Sequence, residues 1–479
     1  LREEIREHLG KVLDIERLVA KISTGRANGR DLRSLCASLS VIAPLREKLA
    51  EVFSSFLDHV RNDLDPLDDV TKRIAETLTD EPPTGLREGG LIRPGFHEEL
   101  DEWLSIAGDG KAWIARFQAE EVERTGIQGL KIGFNSVFGY FLDVPRSQVD
   151  RVPDNYVRKQ TIKNSERYVT PELKTFEEKV LKAEEKTKDL EYDLFLELRN
   201  EVAAEVRRIL DTALAIAKLD VVAGLAQVAH EYRYVRPEVS EDDTIEIVAG
   251  RHPVLERMES VESFVPNDSQ LDHGDHRLTV LTGPNMAGKS TYIRQTALIV
   301  LLAQIGSFVP AREAKIGLCD RIFTRIGSAD DIGRGESTFM VEMVEIANIL
   351  NNATKRSLVV LDEVGRGTST FDGLALAWAI CEELHDGIGA RTLFATHYHQ
   401  LTDLAERFRG VCNKSVAVRE WEDDIVFLHQ IIEGGTDRSY GIHVARLAGA
   451  PANLLERAKT ILRELEDEAE DLAPKMSIA

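Results

Sequence analysis

Along residues 1–78, apolar side chains recur three and four positions apart, the spacing that gathers them on one face of a helix. Pro82-Pro83-Thr84-Gly85, Glu88-Gly89-Gly90 and Pro94-Gly95 then interrupt the helical pattern, and a further helix is predicted over 98–123. Between 127 and 144 the texture changes to short β-rich runs punctuated by glycine: Leu130-Lys131-Ile132-Gly133-Phe134 and Phe138-Gly139-Tyr140-Phe141-Leu142. Thr170-Pro171 opens a long helical stretch, with threonine suited to the cap and proline to the first helical position. There Leu190, Leu194, Leu198, Val202, Val206 and Leu210 recur every four residues. Even if broken once, 171–232 would reach on the order of 90 Å at about 1.5 Å per residue. The pattern describes a small β-rich module set between two long helical segments.

After Pro237 short apolar strands, at 278–281, 358–361 and 392–395, alternate with helices, as in a nucleotide-binding α/β sheet. Residues 441–465 read as two helices joined at Ala448-Gly449-Ala450-Pro451, followed by an acidic tail that begins at Glu464. No internal repeat is found. The expected class is multidomain α and α/β, with segments 1–123, 124–170, 171–236, 237–440 and 441–479.

Size agrees, since 479 residues exceed what one core supports. The most apolar stretch, 296–309, is shorter than the roughly 20 residues a membrane span requires and contains Gln304 and Gly306. No secretion signal opens the chain, and Cys36, Cys319, Cys381 and Cys412 form no close pair, which fits a reducing cytoplasm. The chain opens in mid-pattern without methionine, as a fragment would. A net charge of −22 argues against nucleic acid as a partner, yet 124–174 holds nine Lys/Arg against five Asp/Glu. Binding depends on where charge lies, so the objection weakens for that stretch.

The strongest local motif is Gly283-Pro284-Asn285-Met286-Ala287-Gly288-Lys289-Ser290-Thr291, which matches GxxxxGK[ST] between a strand and a helix expected to open at Thr291. Glycines there let backbone N–H groups curl around phosphate oxygens at a helix N-terminus. Lys289 is expected to reach the β- and γ-phosphates of ATP, and Ser290 to ligate Mg²⁺. The run Leu358-Val359-Val360-Leu361 ends in Asp362-Glu363, and acids at the end of a buried strand are costly unless they face a cation or water. Asp362 suits a Mg²⁺-organising carboxylate and Glu363 the base that orients an attacking water.

Taken with Asp320-Arg321-Ile322-Phe323-Thr324-Arg325-Ile326-Gly327, Ser337-Thr338-Phe339-Met340-Val341-Glu342-Met343, Gly365-Arg366-Gly367-Thr368-Ser369-Thr370 and Thr396-His397-Tyr398, these motifs resemble the MutS family. The likeness covers 251–465 and continues upstream through Gly133-Phe134-Asn135 and Arg167-Tyr168-Val169-Thr170-Pro171. It implies lever helices over 1–123 and 171–236, a DNA clamp over 124–170, an ABC-superfamily P-loop ATPase over 237–440, and a C-terminal helix-turn-helix that locks a dimer. It further implies a mismatch repair ATPase whose DNA-encircling dimer switches between mismatch search and sliding clamp. Implied partners are double-stranded DNA (mismatched in the intact protein), a second copy with composite ATP sites, and a downstream factor of the MutL type. No membrane is implied, and the place is a nucleoid-associated cytoplasmic one.

By the same resemblance Ser337 points at the γ-phosphate held by the partner subunit, His397 senses the γ-phosphate, and Phe264 and His429 flank adenine. Arg158, Lys159, Lys163, Asn164 and Arg167 make sequence-independent phosphate contacts. The family reads a mismatch with Phe-x-Glu in an N-terminal domain. Phe96-His97-Glu98 and Phe176-Glu177-Glu178 carry that string in helical segments and are not expected to serve as the reader. Two alternatives remain: a relative acting as a recombination scaffold, and another ABC-type DNA-associated ATPase.

Overall fold

The computed structural model describes all residues except 109, 136, 138, 259–263, 285–286, 328–337, 422–423, 436–439 and 473–479. The chain divides into two compact units, Leu1–Gly224 and Leu225–Ala479.

In the first unit, helices α1 (Arg2–Leu9), α2 (Ile15–Ser23), α3 (Gly29–Leu39), α4 (Ile42–Leu49), α5 (Ser55–Asp63) and α6 (Asp68–Thr77) precede α7 (Glu98–Gly108) and α8 (Gly110–Thr125). The helix expected over 98–123 is described as α7 and α8 on either side of residue 109, which lies outside the described residues. Strands β1 (Lys131–Asn135), β2 (Gly139–Pro145), β3 (Val157–Thr161) and β4 (Ser165–Val169) form an antiparallel sheet in the order β1-β2-β4-β3. Helices α9 (Pro171–Ala204) and α10 (Val206–Glu231) follow, broken once at Glu205. Thr170 caps α9 by accepting the Leu173 N–H at 3.2 Å.

Leucines of α3 and α4, with Val70 and Ile74 of α6, pack with Phe195, Leu198 and Ile209 in one helical core. Buried Glu191 on α9 accepts the N–H groups of Gly90 (2.8 Å) and Ile92 (3.3 Å), so the glycine break is fastened to the long helix. The sheet has its own core, in which Ile127, Leu130, Leu142, Val144, Tyr156 and Tyr168 close against Phe117 of α8 and Leu173 of α9. Both Phe-x-Glu strings are tied up in packing. The Arg73 guanidinium lies 5.2 Å from the Phe96 ring, and Phe176 stacks on Trp113 at 3.6 Å.

The second unit begins with β5 (Glu238–Ser240), β6 (Ile245–Gly250), β7 (Asn267–Leu271), β8 (Leu278–Thr282) and α11 (Lys289–Gln304). It continues with β9 (Glu313–Gly317), β10 (Ile322–Arg325), α12 (Thr338–Asn352), β11 (Leu358–Asp362), α13 (Thr370–Glu382) and β12 (Arg391–Ala395). Last come α14 (Leu404–Arg407), β13 (Val411–Trp421), β14 (Asp424–Glu433), α15 (Gly441–Leu447) and α16 (Ala452–Leu472). The motif helix α11 starts at Lys289, two residues before Thr291, because Gly288 at φ 110° serves as its N-cap. The acidic run expected as a tail is helical through Leu472, glutamate being a good helix former.

Six strands form a sheet in the order β10-β11-β12-β8-β13-β14, parallel except for the β13–β14 hairpin. Leu358 and Val360 face α11 and the second sheet (β5-β9-β6-β7), while Val359 and Leu361 face α12 and α13. A strand buried on both faces explains the unbroken apolar run. Among the described residues no helix is long and apolar enough to cross a membrane.

Candidate functional site

Parallel pairing aligns the ends of three strands: Asp362 lies opposite Ala395, and Ala395 opposite Leu281. Beyond these ends the chain turns sharply. The Glu363 N–H donates to the Ala395 carbonyl at 2.8 Å, and the Thr396 N–H to the Leu281 carbonyl at 3.0 Å. Glu363 adopts φ 56°, a left-handed backbone that non-glycine residues rarely take and that clusters at functional sites. The loop after β8 turns at Gly283 (φ 133°) and Gly288 (φ 110°), and Lys289 is buried as the first residue of α11.

Lys289 Nζ donates to the carbonyl oxygens of Gly283 (2.5 Å) and Pro284 (3.1 Å), closing the loop on itself. Burial lowers its pKa, opposed by the charges of Glu363 and Asp362 and helped by Arg366. Asp362 is buried, and among the described residues its Oδ1 has no hydrogen-bond partner. Its Oδ2 lies 3.8 Å from Nη2 of Arg294, a cation on α11 that no sequence motif marks. Glu363 pairs with Arg366 three residues on. His397 is held down to a pKa of about 4, first by burial and then by the charges of Arg366 and Lys289, so the ring is neutral at pH 7. Its Nδ1 is buried without a partner among the described residues.

One end of the sheet therefore gathers a cation, two carboxylates, a neutral imidazole and a helix N-terminus. Ser290 and Thr291 are half-buried in the first turn of α11. Asn285, Met286 and Ser337 lie outside the described residues; α12 begins at Thr338.

His429 (φ 54°) flanks the same loop, its Nδ1–H donating to the Ala287 carbonyl at 2.9 Å. Asn267 ties this flank together. Its Nδ2 donates to the carbonyls of His429 (2.9 Å) and Val265 (3.2 Å), and its Oδ1 accepts the Ile431 N–H (2.7 Å). Half-buried Phe264 directly precedes Val265. The only sequence signal for Asn267 is a polar residue at an inward position of β7.

On the β-rich module the basic residues differ in their surroundings. Pairing of β3 with β4 shifts register between Arg158 and Gln160, so Lys159 is the extra residue of a β-bulge, a device that re-aims a side chain. Lys159, Lys163 and Asn164 are exposed, and no ion pair among the described residues holds either lysine. Arg158 is 3.7 Å from Glu166. Arg167 is half-buried, with its guanidinium 4.3 Å from the Phe141 ring and Nη1 donating to Gln160 at 2.9 Å. It is therefore drawn into the packing of the sheet.

Residues 279–466 match the family model described as MutS domain V, and residues 95–186 the one described as MutS family domain IV. The DNA mismatch repair protein MutS of Acetivibrio thermocellus is 54% identical over 98% of this chain and 54% of its own length. Its namesake from Symbiobacterium thermophilum is 55% identical over 98% of this chain and 54% of its own. That from Rhodopirellula baltica is 51% identical over 100% of this chain and 54% of its own. The chain spans about half the length of the curated relatives it matches. High identity along nearly the whole chain, with two family domains in order, makes it a member of the MutS family.

Proposed function

We propose that this chain is the ATP-hydrolysing and DNA-clamping portion of a mismatch repair protein, whose dimer surrounds duplex DNA and changes state with bound nucleotide. The observation that carries the reading is the convergence of Lys289, Asp362, Glu363 and His397 at the ends of β8, β11 and β12. The unit would then be an ABC-superfamily ATPase, with α15 and α16 as the dimer-locking helix-turn-helix.

The donor set suits ATP and Mg²⁺. A buried carboxylate oxygen without a partner among the described residues, Asp362 Oδ1, is costly unless a cation satisfies it, and Ser290 offers a hydroxyl in the adjoining helical turn. Bound Mg²⁺·ATP supplies the transferable phosphoryl group and neutralises its charge. Lys289 exchanges the Gly283 and Pro284 carbonyls for phosphate oxygens, and the N–H groups of the loop and the start of α11 cradle the anion. Glu363 orients the attacking water, and uncharged His397 presents its ring to the γ-phosphate. Phe264 and His429 flank the adenine, and Ser337 completes the partner's site.

DNA is held through its phosphates by the exposed Lys159, Lys163 and Asn164, with Arg158 and Arg167 beside them. A MutL-type factor would receive the signal in the nucleoid. The test is steady-state hydrolysis by Glu363→Gln, with nucleotide binding measured separately. Binding is expected to persist while turnover falls by roughly a hundredfold or more, the scale of a lost general base. Parental turnover in that variant would overturn the assignment.

A further inference from the structure

Three other segments of the chain close on Gly365, just past Glu363. Gly365 is buried at φ 89°, and a Cβ there would stand 2.7 Å from the Gly373 carbonyl at the start of α13. Its N–H donates to Glu342 Oε1 at 2.6 Å, and its carbonyl accepts the Tyr398 hydroxyl at 3.1 Å. Glu342 sits on α12 and Tyr398 directly follows His397, so the turn after β11 is gripped from both sides. The same turn touches α12 again, since a Cβ on Gly367 would lie 2.7 Å from Phe339 Cβ.

Glu342 is itself buried, and its other oxygen is 3.7 Å from Nη2 of Arg325, the last residue of β10. Glu345, one turn further along α12, lies 3.0 Å from Nε of the same arginine. A carboxylate facing a buried guanidinium and a single amide N–H has little freedom to reorient. A charge-assisted hydrogen bond of this length is among the stronger ones in a protein interior.

We infer that Glu342 is a positioning residue for hydrolysis: by holding the Gly365 N–H it fixes the turn on which Glu363 stands, and so carries the position of α12 to that carboxylate. The inference rests on the ATPase reading above. Helix α12 is described from Thr338, so a displacement of its first described turn carries the Glu342 carboxylate with it. The strained backbone of Glu363 cannot relax while the Gly365 peptides are pinned by Glu342 and Tyr398.

Glu342→Asp and Glu342→Gln separate this role from the ion pair. Aspartate keeps the charge for Arg325 but falls one methylene short of Gly365, whereas glutamine keeps an acceptor oxygen at full reach and loses the charge. Glu342→Asp is expected to lower kcat about tenfold or more, the effect of leaving a buried N–H unsatisfied, with nucleotide affinity within about twofold of the parent. Glu342→Gln should retain most of the turnover although its thermal midpoint falls, because Arg325 loses a partner. Turnover that follows charge (aspartate active, glutamine inactive) would overturn the inference, as would losses in both that simply follow their thermal midpoints.

Tyr398→Phe is the gentler companion, removing one hydroxyl and no charge. It should lower kcat several-fold without changing KM, and parental kcat in this variant would also overturn the inference. Absence of hydrolysis in the unsubstituted protein would instead refute the ATPase reading, so the two failures are distinguishable.

Discussion

Lys289 Nζ lies 2.5 Å from the Gly283 carbonyl oxygen, so the cation at the start of α11 is held by the loop that it closes. Burial lowers the pKa of this amine, with Asp362 and Glu363 opposing the shift, and its hydrogen bonds to Gly283 and Pro284 offset only part of the desolvation. Such a group serves binding better than stability. Lys289→Met is therefore expected to leave the thermal midpoint unchanged or raised while weakening ATP binding at least tenfold. Calorimetric titration and a melting curve on one preparation check both halves. Parental affinity would detach Lys289 from the nucleotide.

Mixing experiments test the proposed composite site. Ser337→Ala and Lys289→Ala subunits are each expected to be nearly inactive alone. If the proposed sites are shared, a mixed dimer would carry both defects in one site and leave the other intact. Activity should reappear on mixing and pass through a maximum near equal proportions. No recovery at any ratio, with mixed dimers demonstrated by mass, would place the Ser337 function within its own subunit.

Much of the second unit is legible in the sequence because its determinants are local. A fully buried parallel strand needs an unbroken apolar run, and 358–361 has one; the glycines of the 283–288 loop take positive φ where the chain must turn. What stays illegible depends on partners distant in sequence. Arg167 and Lys159 look alike in the chain, and only the Phe141 ring and the bulge in β3 set them apart. Asn267 and Glu342 gain their importance from His429 and Gly365, 162 and 23 positions away.

The bulged position of Lys159 leads to a prediction about DNA. Lys159→Glu with Lys163→Glu should weaken binding to matched and mismatched duplex alike, because phosphate contacts carry no direct sequence information. The slope of log affinity against log salt should also become shallower, by roughly one unit for each phosphate that is no longer neutralised. Arg167→Ala, by contrast, should chiefly lower the stability of the β-rich module, since its guanidinium lies against Phe141. Titrations at two salt concentrations decide the matter. Retained affinity in the double variant would move the DNA surface elsewhere.

Glu121 supplies a pH-dependent prediction for the same module. Its carboxylate accepts the Tyr156 hydroxyl at 2.6 Å and two bonds from Arg124, at 2.9 and 2.6 Å. Burial alone would raise its pKa, but the bonds from Arg124 and Tyr156 outweigh that and hold it below the ordinary carboxylate range. As pH falls the unfolded chain takes the proton first. The stabilisation is therefore complete above the unfolded value, near 4.5, and lost as pH drops through the lower folded value. Tyr156→Phe removes one charge-assisted bond to a buried group, worth about 1.5–3 kcal/mol. At pH 7 this variant should show faster hydrogen exchange across β1–β4, with little change in the helical core around Leu35 and Leu198. Glu121→Gln should flatten the acid limb, so that the module's protection no longer falls steeply below about pH 4.5. Exchange rates measured across β1–β4 at pH 7 and in the acid range decide it. A Tyr156→Phe variant with parental protection at both would show that Arg124 alone holds the carboxylate.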